Sequence, residues 1–452
     1  MTSSRFQKPR SGSPNWIVCQ LGARERYAVA RALHRQGKLR TLITDLWMPP
    51  ASLLSRIIQH GKIAIRWNPE LADARVRSFN MRYLYFELMA RLRGVRDWDR
   101  KISRNTLFQK AAVRMLKSIP DTVGEEPTPT LFCYSYCARD ILRYAKSRGW
   151  RTVLGQIDLG PGEDRLEKQL LANHPEWLCS TIQSPPREYW NNWREECALA
   201  DTIMVNSEWA KQAMIAEGID AGKLVVVPLA YEAAEVESQE SEVKGAGMRD
   251  ERGRAIDEGG RSGIESGPSL STSPASSRFD SRHPLRVLFL GQTVARKGIY
   301  DLVEAARLMA NDPVIIDVVG PHRPLPEDLP STIRFHGRVS LREASRWYDH
   351  AHVFVLPTRS DGFAITQLEA MSHGLPVITT QCCGSVVLDG VNGLVVEAGN
   401  VGELSSAMRR LAHDHQLLES LRSHAKETME RFSLDVLGSH LEKVESRWTE
   451  GG

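Results

Sequence analysis

The stretch AHVFVLPTRSDGFAITQLEAMSHGLPVITT, Ala351–Thr380, decides the fold. AHVFVLP is a β-branched and aromatic run that predicts a strand ending at Pro357. TRSDGF is polar and Gly-containing, and predicts the loop leaving that strand's carboxyl end. The spacing that follows predicts a helix from about Ala364 to His373, closed by Gly374 as its C-terminal stop. PVITT then predicts a second strand. A strand, a loop, a helix and a strand in immediate succession imply parallel pairing, because the chain must cross over before it can run in the same direction again.

Working outward, the same alternation fills the chain. LRVLFLGQTVARKGIYDLVEAARLM carries a strand at Val287–Leu290 and a loop at Gly291–Gly298. The helix after it places Leu302, Ala305, Ala306 and Met309 on one face. NWIVCQLGARERYAVARALHRQG opens the chain's first half in the same manner, with a strand at Trp16–Cys19, Gly22 in the turn and a helix to Gly37. Further apolar runs (TLFCYSY, RTVLGQID, TIMVNS, LVVVPL, VIIDVVG) alternate with helical segments. The expectation is an α/β protein: two Rossmann-like doubly wound domains facing across a cleft, with ligands bound beyond the carboxyl ends of the strands.

The boundaries follow from composition. Residues 233–283 are rich in Glu, Ser, Gly and Arg and poor in aliphatics, which predicts a disordered insert. It divides an N-terminal domain, 1–232, from a C-terminal domain, 284–430. Residues 431–452 contain a last helix, expected to cross back onto the first domain. The length of 452 residues suits two domains, and 42% hydrophobic with 25% charged residues is ordinary for a globular chain. A formal net charge of +4 argues against a dedicated nucleic-acid binder. The polar N-terminus lacks a signal peptide's apolar core, and no apolar run reaches the roughly 18 residues of a membrane span. The expected location is cytoplasmic, free or peripheral on the inner face of a membrane. Seven irregularly spaced cysteines predict reduced thiols and no zinc site.

The segment 51–117 holds fifteen Lys/Arg against five Asp/Glu. Within it, FNMRYLYFELMARLRG puts Met81, Leu84 or Tyr85, Leu88 and Leu92 on one helical face. One reading is a core-facing helix with a solvated basic back; the other is a peripheral membrane patch attracted to anionic lipid.

The candidate site lies in the opening stretch. Asp361 sits in the loop at a strand's carboxyl end, beside helix N-terminal amides that favour an anion such as a diphosphate. Glu369, inside the helix, can accept two hydrogen bonds from a ribose diol. Arg296 and Lys297 occupy the corresponding loop after the first strand of the domain, where cations suit phosphates. Taken alone, the two acids equally fit a capping residue and a surface residue; Arg296-Lys297 alone fits a solvated pair better, and its place on the loop after the domain's first strand turns the reading to an anion site.

Pro357–Thr379, with the following GSVVLDGVNGLVVEAGN, resembles the donor-binding signature of retaining GT-B glycosyltransferases of family 4. LFLGQTVARKGIYDLVEA resembles that family's phosphate-binding loop, with Lys297 at the lysine position. ALADTIMVNSEWAKQAMIAEGIDAGKLVVVPLAYE resembles the end of its N-terminal domain, and QLGARERYAVARALHRQG and QIDLGPGED resemble that domain more loosely. Gln292 replaces the usual arginine, Asp361 stands where Glu is commoner, and Ala364 where Gly is.

The resemblance implies transfer of a sugar from a nucleotide-activated donor to a hydroxyl acceptor, lipid-linked or otherwise, with retained configuration. No metal or other cofactor and no nucleic acid is implied. Asp361, Lys297 and Arg296 take the catalytic positions. Glu369, Gly291, Gln292, Gly362, Phe363, Ala364, Ile365, Thr366 and Ser385 take donor-binding ones. Arg338, after a short strand near the cleft, fits a place beside the base and a surface position equally. Gly22, Gln156 and Asp158 are the N-terminal contacts. Another GT-B enzyme, such as a phosphorylase or a nucleotide-sugar epimerase, and a degenerate nucleotide-sugar-binding protein are the alternatives at this point. The sequence fixes neither base, sugar, acceptor nor oligomeric state.

Overall fold

A computed structural model describes residues 15–50, 66–119, 128–174, 184–232, 279–280, 282–321, 325 and 328–448. Strands β1 (Trp16–Gln20), β2 (Leu39–Thr44), β3 (Val76–Ser78), β4 (Thr130–Tyr134), β5 (Arg151–Gly155), β6 (Thr202–Val205) and β7 (Leu224–Val226) form one sheet in the order β3-β2-β1-β4-β5-β6-β7. Strands β8 (Leu285–Leu290), β9 (Val314–Val319), β10 (Ile333–Phe335), β11 (Val353–Leu356), β12 (Val377–Thr380) and β13 (Gly393–Val396) form a second, ordered β10-β9-β8-β11-β12-β13. All pairings between these strands are parallel.

The helices of the first half are α1 (Ala28–Arg35), α2 (Asn80–Leu92), α3 (Asp97–Leu116), α4 (Arg139–Ser147), α5 (Pro161–Ala172), α6 (Arg187–Leu199) and α7 (Glu208–Ala216). Those of the second are α8 (Ile299–Leu308), α9 (Leu341–His350), α10 (Thr366–Ser372), α11 (Val401–His413), α12 (His415–Glu427) and α13 (Leu434–Ser446).

Strand burial explains the continuous apolar runs. All five residues of β1 are buried, and their side chains alternate between two cores. Ile17 and Cys19 join one cluster, Trp16 and Val18 the other. A strand covered by helices on both faces is apolar along most of its length, and in β1 only the last residue, Gln20, is polar. In each sheet the order reverses once, between β1 and β4 and between β8 and β11. A crevice opens beyond the carboxyl ends at such a point, so the loops after β1, β8 and β11 are placed to meet a ligand.

Helix α13 packs along α1 of the first domain. Leu434, Leu437, Leu441 and Val444 are buried in the first sheet's outer cluster. Ser433 caps the helix by accepting from the Val436 amide. The Trp16 indole Nε1 donates to Glu445 Oε1 at 2.5 Å, and Lys38 pairs with the other carboxyl oxygen at 2.6 Å.

Two expectations change. Most of segment 233–283 lies outside the described residues, but Phe279 is packed against the second core and 4.9 Å, centroid to centroid, from the His352 ring. It belongs to the fold, because an aromatic side chain gains from burial. The core-facing reading of α2 is overturned: Met81, Tyr85, Leu88 and Leu92 are exposed, and Tyr83 and Ala90, on the opposite face, are buried. Tyr83 packs with Leu46 and Met48. The described cysteines are unpaired, and all but Cys382 are buried; Cys179 lies outside the described residues. No helix among the described residues is long and apolar enough to cross a membrane.

Candidate functional site

Two loops of the second sheet build one wall. Gly298 makes their contact possible. Its φ of +74° is left-handed, and a Cβ there would lie 1.9 Å from the Pro357 carbonyl oxygen, so only glycine fits. The Arg296 carbonyl then accepts from the Arg359 amide (2.8 Å), the Ser360 amide (3.3 Å) and the Thr358 hydroxyl (2.9 Å). The Arg296 guanidinium donates back to the Ser360 carbonyl at 3.2 Å. Locked in this way, the loops bring Lys297 Nζ against Asp361 Oδ2 as an ion pair. Burial, then Arg296, push the Lys297 ammonium down to about 8, while Glu163 pulls it up. The Asp361 carboxylate in contact with it favours the charged form.

Asp361 is committed on its other side. Its Oδ1 accepts from the amides of Phe363 (3.3 Å) and Ala364 (3.1 Å). Those two amides are therefore engaged within the loop, which corrects the expectation that they are open to an anion. The helix also begins at Thr366, later than expected, and has only seven residues. Ala364 has a φ of +59°, a left-handed conformation that glycine would adopt without strain. Gly362 packs against Asn206: a Cβ on it would lie 3.0 Å from that side chain's Nδ2.

Glu369 points into the same space, anchored by the Tyr348 hydroxyl, which donates to Oε2 at 2.8 Å. Burial and the adjoining carboxylate hold the Tyr348 hydroxyl well above its usual range, so it stays a donor.

The first domain supplies the facing wall. Glu167 of α5 accepts from the backbone amides of Ala295 (3.1 Å) and Arg296 (2.8 Å). Glu163, one turn earlier, pairs with Arg296 Nε at 2.7 Å. Burial raises the Glu163 carboxyl and Arg296 opposes the rise. Ser207 Oγ donates to the Gly362 carbonyl at 2.5 Å, and Trp209 Nε1 to Ser360 Oγ at 3.3 Å. After β1, Glu25, Arg26 and Tyr27 are consecutive left-handed residues with φ of 49°, 51° and 64°. Such strain persists only where surroundings impose it, and it collects at ligand clamps. Burial raises the Glu25 carboxyl, opposed by Arg24, and Tyr134 Oη donates to it at 3.0 Å.

Between the walls is a cavity of about 700 Å³, in the range of small-molecule sites. Gly291, Gln292, Arg296, Lys297, Asp361, Phe363, Ala364, Ile365, Thr366 and Glu369 all line it. Six candidates do not line it: Gly362, packed on Asn206, and five others. Ser385 lines a neighbouring cavity with Asn206, Phe432 and His440. Arg338 is exposed after β10 and lines none of the cavities described. Gly22 donates its amide to Asp45 Oδ1 at 2.9 Å. Gln156 is buried and bonds inward, accepting from Trp193 Nε1 (3.1 Å) and donating to the Asp158 carbonyl (3.0 Å). Asp158 in turn accepts from the Gly160 amide at 2.9 Å and from the Tyr136 hydroxyl. These last two side chains satisfy one another and do not line the main cavity.

The sequence reading missed Arg24, Glu25, Arg26 and Arg31, which line the cavity from the first domain, and the tie residues Glu163, Glu167 and Tyr348. The RER run after β1 was a visible signal; the others are brought in only by tertiary packing. Among the described residues no group of three or more His, Cys, Asp or Glu gathers as a metal site.

Residues 284–414 match a family model described as glycosyl transferases group 1. The chain is 28% identical over 163 residues to an uncharacterized glycosyltransferase of Methanocaldococcus jannaschii, covering 35% of this chain and 46% of that protein. It is 25% identical over 168 residues to the capsular polysaccharide biosynthesis glycosyltransferase CapM of Staphylococcus aureus, covering 34% and 44%. The matched part thus spans less than half the length of these curated relatives. Among solved structures, HepE of Anabaena in complex with UDP and glucose superposes with a TM-score of 0.54 at 13% identity, over 96% of this chain and 100% of that one. TarM gives 0.57 at 11% identity, over 96% and 98%. Sucrose-phosphate synthase of Thermosynechococcus elongatus gives 0.54 at 15% identity, over 97% and 100%. The fold, two parallel-sheet Rossmann-like domains, is GT-B.

Proposed function

We propose that the protein is a glycosyltransferase that moves a sugar from a nucleoside-diphosphate sugar to an acceptor hydroxyl, with retention of configuration and without a metal ion. The observation that carries this reading is the convergence of Lys297, Arg296, Asp361 and Glu369 on one cavity at the second sheet's switch point. The match of residues 284–414 to the glycosyl transferases group 1 model supports it.

In this reading Glu369, fixed by Tyr348, holds the ribose hydroxyls. Lys297 takes negative charge that develops on the diphosphate as the bond from the sugar's anomeric carbon to the phosphate oxygen breaks. Arg296 adds a second cation once the diphosphate displaces Glu163 from it. The acceptor oxygen bonds to the anomeric carbon on the face the leaving group departs, and its proton passes to the departing phosphate oxygen. Asp361 orients sugar hydroxyls and positions Lys297, and its contribution falls on geometry. The arginines after β1 and Glu25 lie on the opposite wall, where the sugar and acceptor meet.

The test is a thermal-shift series with UDP, GDP and ADP in the presence of EDTA, with wild type beside Lys297→Ala and Glu369→Ala. UDP comes first because HepE was solved with it. At a hundredfold excess over Kd, a ligand bound only by the folded state adds about 2.7 kcal/mol. A shift with one nucleotide, lost in both variants, is the expected result; the matching sugar nucleotide then gives product whose anomeric configuration is read by NMR. No shift with any nucleotide at millimolar concentration overturns the proposal.

A further inference from the structure

We propose that helix α2 docks the protein onto an anionic lipid surface, inserting the stripe of Met81, Tyr85, Leu88 and Leu92 between flanking arginines. Their exposures are 68%, 64%, 55% and 70%. Only four other large apolar side chains are exposed among the described residues, and they are divided among other elements. At 100° per residue the four stripe positions fall within an arc of about 60°. Burial of Tyr83 and Ala90 fixes the opposite face toward the protein, so the stripe points outward along the whole helix.

Charge identifies the occupant. Arg82 and Arg93 fall on one side of the stripe and Arg91 on the other, with Arg96 just beyond the helix. All four are exposed, and none has an ion pair among the described residues. The single acid of the helix, Glu87, is already paired with Arg100. A protein partner would need a groove bearing matched acids on both rims. An anionic bilayer offers both features everywhere on its surface: negative headgroups for the arginines and an acyl boundary for the stripe. Tyr85 also suits the headgroup level. With 13 residues the helix is about 20 Å long and cannot span a bilayer, so it lies in the interface.

The placement suits a membrane-facing cleft. Helix α2 starts two residues beyond the carboxyl end of β3. Asn80 ties its start to the loop after β2, accepting from the Trp47 amide (2.9 Å) and donating to the Trp47 carbonyl (2.8 Å). The carboxyl edge of the sheet is also the edge on which the cavity opens. Docking itself does not depend on the transferase reading, and vesicle binding and nucleotide shift are separate readouts.

The test is vesicle co-sedimentation of the full chain with phosphatidylcholine alone and with about 30 mol % phosphatidylglycerol. Leu88→Asp/Leu92→Asp and Arg91→Glu/Arg93→Glu variants run beside wild type. The expected result is binding to anionic vesicles only, weakened by about 0.5 M salt and at least about tenfold weaker in each double variant. Both variants replace exposed side chains, so they keep the wild-type melting temperature and nucleotide response. Absence of binding to anionic vesicles, or equal binding by the variants, overturns the proposal. A lipid-free dimer abolished by Leu88→Asp/Leu92→Asp assigns the stripe to a second copy instead. A lowered melting temperature in that variant assigns it to an intrachain contact; either result also overturns docking.

Discussion

Replacing Gly298 by alanine tests whether the contact between the two donor-side loops is what forms the site. The backbone there has φ +74°, which costs an alanine about 1–2 kcal/mol. The added Cβ would lie 1.9 Å from the Pro357 carbonyl oxygen, where ordinary contact begins at 3.4 Å. The loops must therefore part by about 1.5 Å, and backbone cannot step aside as a flexible side chain does. That displacement breaks the three hydrogen bonds converging on the Arg296 carbonyl, each worth about 1 kcal/mol net. The total is about 4–5 kcal/mol, or a Tm lower by about 4–5 °C for a chain of this size. Gly149 provides the control. Its φ is +70°, but nothing lies within 4 Å of a Cβ placed on it, so Gly149→Ala carries only the backbone cost and loses about 1–2 °C. Scanning calorimetry with and without UDP reads both effects. Gly298→Ala should fall well below Gly149→Ala and lose its nucleotide stabilisation. Equal melting temperatures for the two variants, or an undiminished UDP response in Gly298→Ala, would refute the reasoning.

Other consequences are open to direct measurement. Tyr348→Phe removes the hydroxyl that holds Glu369, so nucleotide affinity should fall by roughly tenfold to a hundredfold, as for one lost hydrogen bond to a charged group, with little loss of thermal stability; isothermal titration measures both Kd and its enthalpy. Nucleotide affinity should be level below pH 8 and decline above it, because the Lys297 ammonium, held down to about 8, gives up the proton that attracts the diphosphate. A profile level to pH 10 would contradict that role. Glu167→Ala unties α5 from the amides of Ala295 and Arg296. It should raise protease susceptibility between the domains and weaken nucleotide binding less than Lys297→Ala does.

How much of this was legible in the sequence depended on the range of the interactions involved. The strands were readable because a sheet covered on both faces favours apolar residues on both sides of a strand, as throughout β11 and in the first four residues of β1. Lys297, Asp361 and Glu369 were readable because each lies on the loop or helix that directly follows a strand, so local order sets their direction. Glu163 and Glu167 approach Arg296 from another domain, and no local pattern announces that. Ser385, Gln156 and Asp158 were assigned by the resemblance, but Ser385 lines a second cavity and the other two side chains bond to one another. The failure at α2 has a different cause. Periodicity reports that a helix has an apolar face and its direction relative to the other faces. It does not report what covers that face, and here the protein interior took Tyr83 and Ala90 instead.

The return of α13 to the first sheet has a consequence for biosynthesis. Leu434, Leu437, Leu441 and Val444 complete a core whose other members precede residue 231. During translation the first domain emerges with that groove uncovered and waits for the entire second domain to be synthesised. Its apolar lining beside α1 is exposed to chaperones and to aggregation for that interval, and a nonsense mutation shortly before Ser433 would injure the half of the protein it leaves intact in sequence.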